Sequence, residues 1–138
     1  MTQTFSVVTT WGDQHWDHHA KRSVQSILSH WPEQVTKFFY PDNLSQQIQA
    51  PNTNYFTVAT EQPTFNDFKN RASNDQDVKE KMQTSKNAYE YDVVRFAHKV
   101  FAVLDAVDKC STDQLIWIDA DTVTYKPITI EWLNHIAP

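Results

Sequence analysis

The sequence predicts an α/β domain built on a mostly parallel sheet with helices on both faces, and three features carry that expectation. The β-branched run FSVVTT at 5–10 is followed by a segment of helical periodicity and then by a second β-rich run, VTKFFY at 35–40. Strand, helix, strand in this order is a βαβ unit, whose crossover sets the two strands parallel. Much further along, a helix-periodic segment runs into Leu115-Ile116-Trp117-Ile118, a continuous apolar stretch with the pattern of a strand buried on both faces.

Taken in order, Phe5 to Thr10 reads as a strand closed by Trp11-Gly12-Asp13. From His15 to Trp31 the apolar residues Ala20, Val24, Ile27, Leu28 and Trp31 fall at helical spacing, and Pro32 ends the segment because it cannot continue the backbone hydrogen bonds. Val35 to Tyr40 is the second strand, stopped by Pro41-Asp42-Asn43, and Tyr55 to Ala59 reads as a short third one. Residues 61–86 are polar and almost without aliphatics, a mobile excursion rather than a core element. Tyr89, Val93, Phe96, Val100, Phe101, Leu104 and Val107 trace one face of a helix about five turns long. After Leu115–Ile118 the pattern allows another strand over 123–128 and a final helical turn over 130–136.

The chain of 138 residues has the size of a single domain, so residues 1–138 are read as one unit with one core. Hydrophobic residues make up 40% and aromatic residues 13%, an inventory that argues against disorder. A net charge of -5 excludes the cationic surface that non-specific binding to nucleic acid requires, so any anion has to be bound locally. The opening MTQTFSVVTT has no basic n-region and no long apolar stretch, which predicts neither a secretory signal nor a membrane span. With a lone cysteine, Cys110, that cannot form an intramolecular disulfide, a cytoplasmic location is the expectation. Gly12 is the only glycine, which excludes glycine-rich phosphate loops, since these need several positions where only a bare backbone fits.

The chemistry is concentrated at the end of the apolar strand. Asp119 and Asp121, spaced i, i+2 on an extended segment, emerge on one side, where open α/β sheets place their ligands. A hard divalent cation such as Mg²⁺ or Mn²⁺ takes oxygen ligands and keeps positions open for phosphate oxygens and water, so this pair suits a metal and a diphosphate. The bland alternative is that both residues cap a turn. Arg95 and Lys99 lie at i, i+4 on the helix, where like charges repel unless an anion lies between them; the alternative is a solvated face on which Asp92 pairs with Arg95.

In order, FSVVTT, the helix ending in SILSHWP, the strand with FFYPD, the helix YDVVRFAHKVFAVLDA and the segment LIWIDADTVTYKPI resemble the GT-A glycosyltransferases, particularly bacterial and phage members. The resemblance covers most of residues 4 to 134, is most specific in RFAHKVFA followed by WIDAD, and leaves 61–86 without a counterpart. It implies a Rossmann-like GT-A nucleotide-diphospho-sugar transferase fold, a nucleotide-sugar donor and an acceptor that it does not identify. By the same resemblance Asp119 and Asp121 would hold Mn²⁺ or Mg²⁺ against the donor diphosphate. Thr9, Thr10 and the Trp11-Gly12 turn would border the nucleoside, and Arg95 and Lys99 would face the phosphates. Members of that family carry their acceptor half and catalytic base after this strand, whereas 17 residues follow Asp121 here. A C-terminally incomplete sheet with an unprotected edge is therefore expected, completed by a second copy or a partner chain, and no catalytic base is assigned.

Three other readings compete. Asp119-Ala120-Asp121-Thr122-Val123 also resembles the first motif of haloacid dehalogenase-like phosphatases, but in that family the motif opens the domain. His15 and His19 have the i, i+4 spacing of zinc ligands on a helix, yet Trp16 stands where HExxH needs glutamate. Asp13, His15, Asp17, His18 and His19 are accordingly expected as an exposed, polar helix entrance. The third is a non-catalytic module that binds a nucleotide-sugar without turning it over. Of the five tryptophans, Trp31, Trp117 and Trp132 are expected to pack in the core, while the roles of Trp11 and Trp16 stay open.

Overall fold

The computed structural model of the chain describes residues 2–88 and 92–138. Four parallel strands lie in the order β3-β2-β1-β4, with β1 at Phe5–Trp11, β2 at Thr36–Pro41, β3 at Thr53–Tyr55 and β4 at Gln114–Trp117. This is an α/β architecture with the strand order of a Rossmann-like sheet, and its direction of winding reverses between β1 and β4. Helix α1 spans Lys21–His30, α2 Val58–Glu61, α3 Pro63–Asn74, α4 Gln76–Thr84, α5 Val93–Lys109 and α6 Ile130–Ile136. Among the described residues no helix is long and apolar enough to cross a membrane.

The central strand sorts its side chains by parity, as the pleat requires. Phe5, Val7 and Trp11 join Ala20, Val24, Ile27, Phe39 and Leu133 in a core beneath α1 and α6. Val8, from the other face, meets Phe38, Tyr40, Phe65, Ala97, Ala102 and Ala106 beneath α3 and α5. Between β1 and α1 the chain forms a 3₁₀ turn at Asp13–His15 and a π turn at Trp16–Ala20, so the helical stretch is expected correctly but its first residues are wound irregularly.

Several expectations are corrected. The third strand ends at Tyr55, not Ala59, because the Thr57 hydroxyl accepts a hydrogen bond from the Thr60 amide and caps α2 instead. No strand forms over 123–128. The Thr124 amide donates to Ser26 Oγ, the Trp31 indole donates to Thr124 Oγ1, and the Ile128 amide donates to the His30 carbonyl, so this segment is tied to the end of α1 rather than to the sheet. The polar stretch 61–86 is largely helical, and Phe65 from α3 enters the core with its ring 4.5 Å from His98 and 5.3 Å from Phe101. The strand expected to be buried on both faces is an edge strand, half-buried throughout, with only Ile118 beyond it fully covered. Trp31 and Trp117 are half-buried and pack against the two cores as expected, whereas Trp132 is exposed.

Helix α5 forms where its periodicity places it, although Tyr89 lies outside the described residues. Its buried face is only partly the one expected: Phe101 packs against the core, but most of the rest of the stripe does not. Ala97, Ala102 and Ala106 face the sheet, whereas Phe96, Val100, Leu104 and Val107 are 50%, 56%, 51% and 53% exposed. Apolar residues cover more than half of this helix, so spacing alone does not select the inner face; three alanines do, by letting the helix approach the sheet closely.

One buried polar cluster pins α5 and α2 to β2. Asp105, 2% exposed, accepts hydrogen bonds from the Tyr40 hydroxyl at 2.6 Å, Gln62 Nε2 at 3.0 Å and Lys109 Nζ at 2.6 Å. Lys109 also reaches Glu61 Oε2 at 3.2 Å. Burial alone would raise the Asp105 carboxyl, but the hydrogen bonds from Lys109, Tyr40 and Gln62 together hold it below the ordinary carboxylate range. Burial, then the bond to Asp105, pushes the Tyr40 hydroxyl far up.

Candidate functional site

All four strands are parallel, so the residues that follow each of them emerge at one edge of the sheet. There, at the reversal between β1 and β4, lies a cleft of about 570 Å³. Its floor is Thr10, Trp11 and Gly12 at the end of β1; one wall is Arg95, Phe96 and Lys99 from the start of α5; the roof is Asp119, Ala120 and Asp121 after β4. The sequence motifs separated by more than 100 residues thus share one space.

Each carboxylate has a distinct setting. The side chain of Asp119 is 65% exposed; its Oδ1 accepts the Trp117 indole N–H at 2.8 Å and lies 3.9 Å from Lys99 Nζ. Asp121 is exposed and, among the described residues, its carboxylate has no hydrogen-bond or ion-pair partner. The turn that carries them is closed by the Thr122 amide donating to the Asp119 carbonyl. Neither side chain is consumed as a backbone cap, so the bland reading of the pair does not describe it. Among the described residues no three His, Cys, Asp or Glu side chains gather closely enough to cage a metal ion. The donor set available is therefore two exposed carboxylates facing an open cleft, which fits Mg²⁺ or Mn²⁺ only with phosphate oxygens and water completing the shell.

Opposite them, Arg95 forms no ion pair with a described residue. Asp92, proposed as its partner on a solvated face, instead caps α5 by accepting the Arg95 backbone amide at 3.1 Å. Lys99 sits over the Trp117 ring, 4.6 Å from its centroid. Trp11 is nearly buried, stacked on Trp16 with ring centroids 5.5 Å apart, and its indole donates to Gln46 Oε1 at 3.0 Å. It shapes the floor as part of the core. Gly12 has an ordinary extended backbone, but a Cβ there would meet His15 Cδ2 at 3.3 Å and Asp42 Oδ2 at 3.7 Å, so its bareness keeps room at the bend.

Thr9 does not line the cleft. It points to the opposite face of β1 from Thr10, is fully buried, and its hydroxyl has no hydrogen-bond partner among the described residues. Thr10 donates to the Tyr40 carbonyl at 2.7 Å and is the residue of the two that reaches the floor.

Four contributors were read otherwise or passed over in the sequence. His15 and His19, expected as an exposed entrance, are half-buried and line the cleft with rings stacked at 5.0 Å, whereas Asp13, Asp17 and His18 are exposed. His19 Nδ1 is 3.1 Å from the Ala120 carbonyl, which ties the acidic turn to the helix after β1. Burial, followed by His19, Arg95 and His18, holds His15 below the ordinary histidine range, against the pull of Asp42. Asp42, after β2, lies 3.7 Å from His98 Nδ1 and closes the back. Trp117, which packs against the core as expected, also orients Asp119 through its indole N–H. Position just after a parallel strand was the signal that could have found Asp42.

The fold defines an α/β protein with an open cleft at the carboxyl edge of a parallel sheet. No protein-family model matches the chain, and no curated protein matches its sequence.

Proposed function

We propose that this chain binds a nucleotide-sugar together with a divalent cation, as the donor-binding part of a GT-A type glycosyltransferase acting on an acceptor yet to be identified. The observation that carries this reading is the convergence of Asp119 and Asp121 with Arg95 and Lys99 around one cleft at the reversal of the sheet. Two carboxylates opposite two cations is the charge arrangement that a cation–diphosphate complex complements.

Asp119 and Asp121 would hold the cation, and Arg95 and Lys99 would orient the diphosphate oxygens, with the Trp11-Gly12 floor beside the nucleoside. Mn²⁺ or Mg²⁺, when bound, supplies Lewis-acid stabilisation of the negative charge that grows on a departing phosphate. Neither aspartate is proposed as a base. The second reading, a module that binds the donor and leaves it intact, shares the same cleft and differs in outcome alone.

A thermal-shift screen of UDP-, GDP- and CMP-sugars, each with Mn²⁺ and with EDTA, tests the reading. One nucleotide class is expected to raise the melting temperature by about 5 °C at tenfold excess over its Kd, and only with metal. A shift that persists unchanged in EDTA, or none with any donor, contradicts it. Release of nucleoside diphosphate from the stabilising donor then separates transferase from binding module.

A further inference from the structure

We infer that Lys99 acts as an internal stand-in for the cation, so that the metal ion and a diphosphate enter the cleft together and neither binds well alone; this rests on the donor-site reading above. Lys99, Trp117 and Asp119 form a closed trio. The ammonium lies 3.9 Å from Asp119 Oδ1 and over the Trp117 ring, whose N–H donates to the same oxygen. One oxygen of Asp119 thus already has an ammonium beside it and an indole N–H donating to it before any ligand arrives, while its second oxygen stays open.

The consequences follow from charge. A lone cation finds two carboxylates, no third ligand residue among the described residues to complete a cage, and an ammonium already beside one of them. A lone diphosphate finds Arg95 and a Lys99 already beside Asp119, and drawing Lys99 away would leave both carboxylates uncompensated. A cation–diphosphate complex meets neither obstacle: the metal replaces the ammonium at Asp119, and the released ammonium takes a phosphate oxygen. Coupling of this kind is reciprocal, so the metal tightens the diphosphate by the same factor that the diphosphate tightens the metal.

The test uses Mn²⁺ and inorganic pyrophosphate as a diphosphate independent of base, with protein-bound Mn²⁺ counted by equilibrium dialysis, because pyrophosphate itself removes free Mn²⁺ from solution. In the wild type, pyrophosphate is expected to raise Mn²⁺ affinity by about 5-fold or more, within the ordinary range for coupled sites. Lys99→Met should bind Mn²⁺ alone about 2- to 5-fold more tightly, the factor expected for losing an exposed ion pair, and should show a smaller pyrophosphate effect. Lys99→Arg keeps the charge and should behave as the wild type. If Mn²⁺ binds with pyrophosphate but Lys99→Met leaves affinity for Mn²⁺ alone unchanged or weaker, the stand-in role is overturned and the donor site stands. If the wild type binds no Mn²⁺ even with pyrophosphate, both fall.

Discussion

Asp121→Asn is expected to lower metal-dependent binding of a nucleoside diphosphate by about 100-fold or more, since even changes one shell away from a metal cost about 10- to 100-fold. An amide keeps the shape of the side chain but removes the anion that a hard cation requires. The melting temperature should stay within about 2 °C of the wild type, because Asp121 is exposed and its carboxylate has no partner among the described residues. Asp119→Asn should act in the same direction while retaining an oxygen for the Trp117 indole. Calorimetric titration with Mn²⁺ and with EDTA separates the metal-dependent part. A variant that keeps full metal-dependent affinity removes these residues from the site, and one that unfolds makes them structural.

A loss of about 3 kcal/mol in unfolding free energy is expected for Asp105→Ala, which corresponds to a fall of roughly 10 °C in melting temperature. The carboxylate satisfies the Tyr40 hydroxyl, Gln62 and Lys109 at once, and its removal leaves a buried hydroxyl without an acceptor. Against a typical domain stability of about 5–15 kcal/mol, this is a large share. The loss stays below the upper range for buried pairs because the Lys109 side chain is 29% exposed and retains Glu61. The effect carries a pH signature. Asp105 titrates lower in the native state than in the unfolded chain, where its value is about 3.9. Its contribution is therefore present above that value and is lost as pH falls through the native one. The stability gap between wild type and Asp105→Asn should hold steady from about pH 7 to 5 and narrow below about pH 4. Chemical denaturation at each pH measures it; a gap of under about 1 kcal/mol at pH 7 would place Asp105 among ordinary surface acids.

The elements legible in the sequence are those whose local chemistry and tertiary role agree. FSVVTT, VTKFFY and the helix carrying Val24 and Ile27 are found where their patterns place them, and Ile130–Ile136 is found to the residue. What failed depends on neighbours that spacing does not encode. Val123–Ile128 is β-branched enough for a strand, but α1 offers its backbone the partners a sheet would have. Phe96, Val100, Leu104 and Val107 look like an inner face until three alanines compete for it. LIWI is apolar enough to be central, yet it stands at the edge.

The site was legible to the extent that parallel strands deliver their ends to one place. Trp11-Gly12 after β1 and Asp119 and Asp121 after β4 meet for that reason, and the start of α5 brings Arg95 and Lys99 to them. Thr9 was lost to the period of two that retained Thr10. The spacing that pairs His15 with His19 was legible, but not that the pair turns inward, because the π turn at Trp16–Ala20 departs from the regular helix that such spacing assumes.

Paramagnetic broadening by Mn²⁺ in the amide nuclear magnetic resonance spectrum, recorded with and without a nucleoside diphosphate, locates the cation directly. Signals of Gly12, Arg95 and Asp119 to Asp121 are expected to vanish when both ligands are present, while those of α4 and of Ile136 remain sharp. Broadening centred instead on Glu61 and Asp105, on Glu131, or on no defined region would contradict a metal–diphosphate site at the carboxyl edge of the sheet.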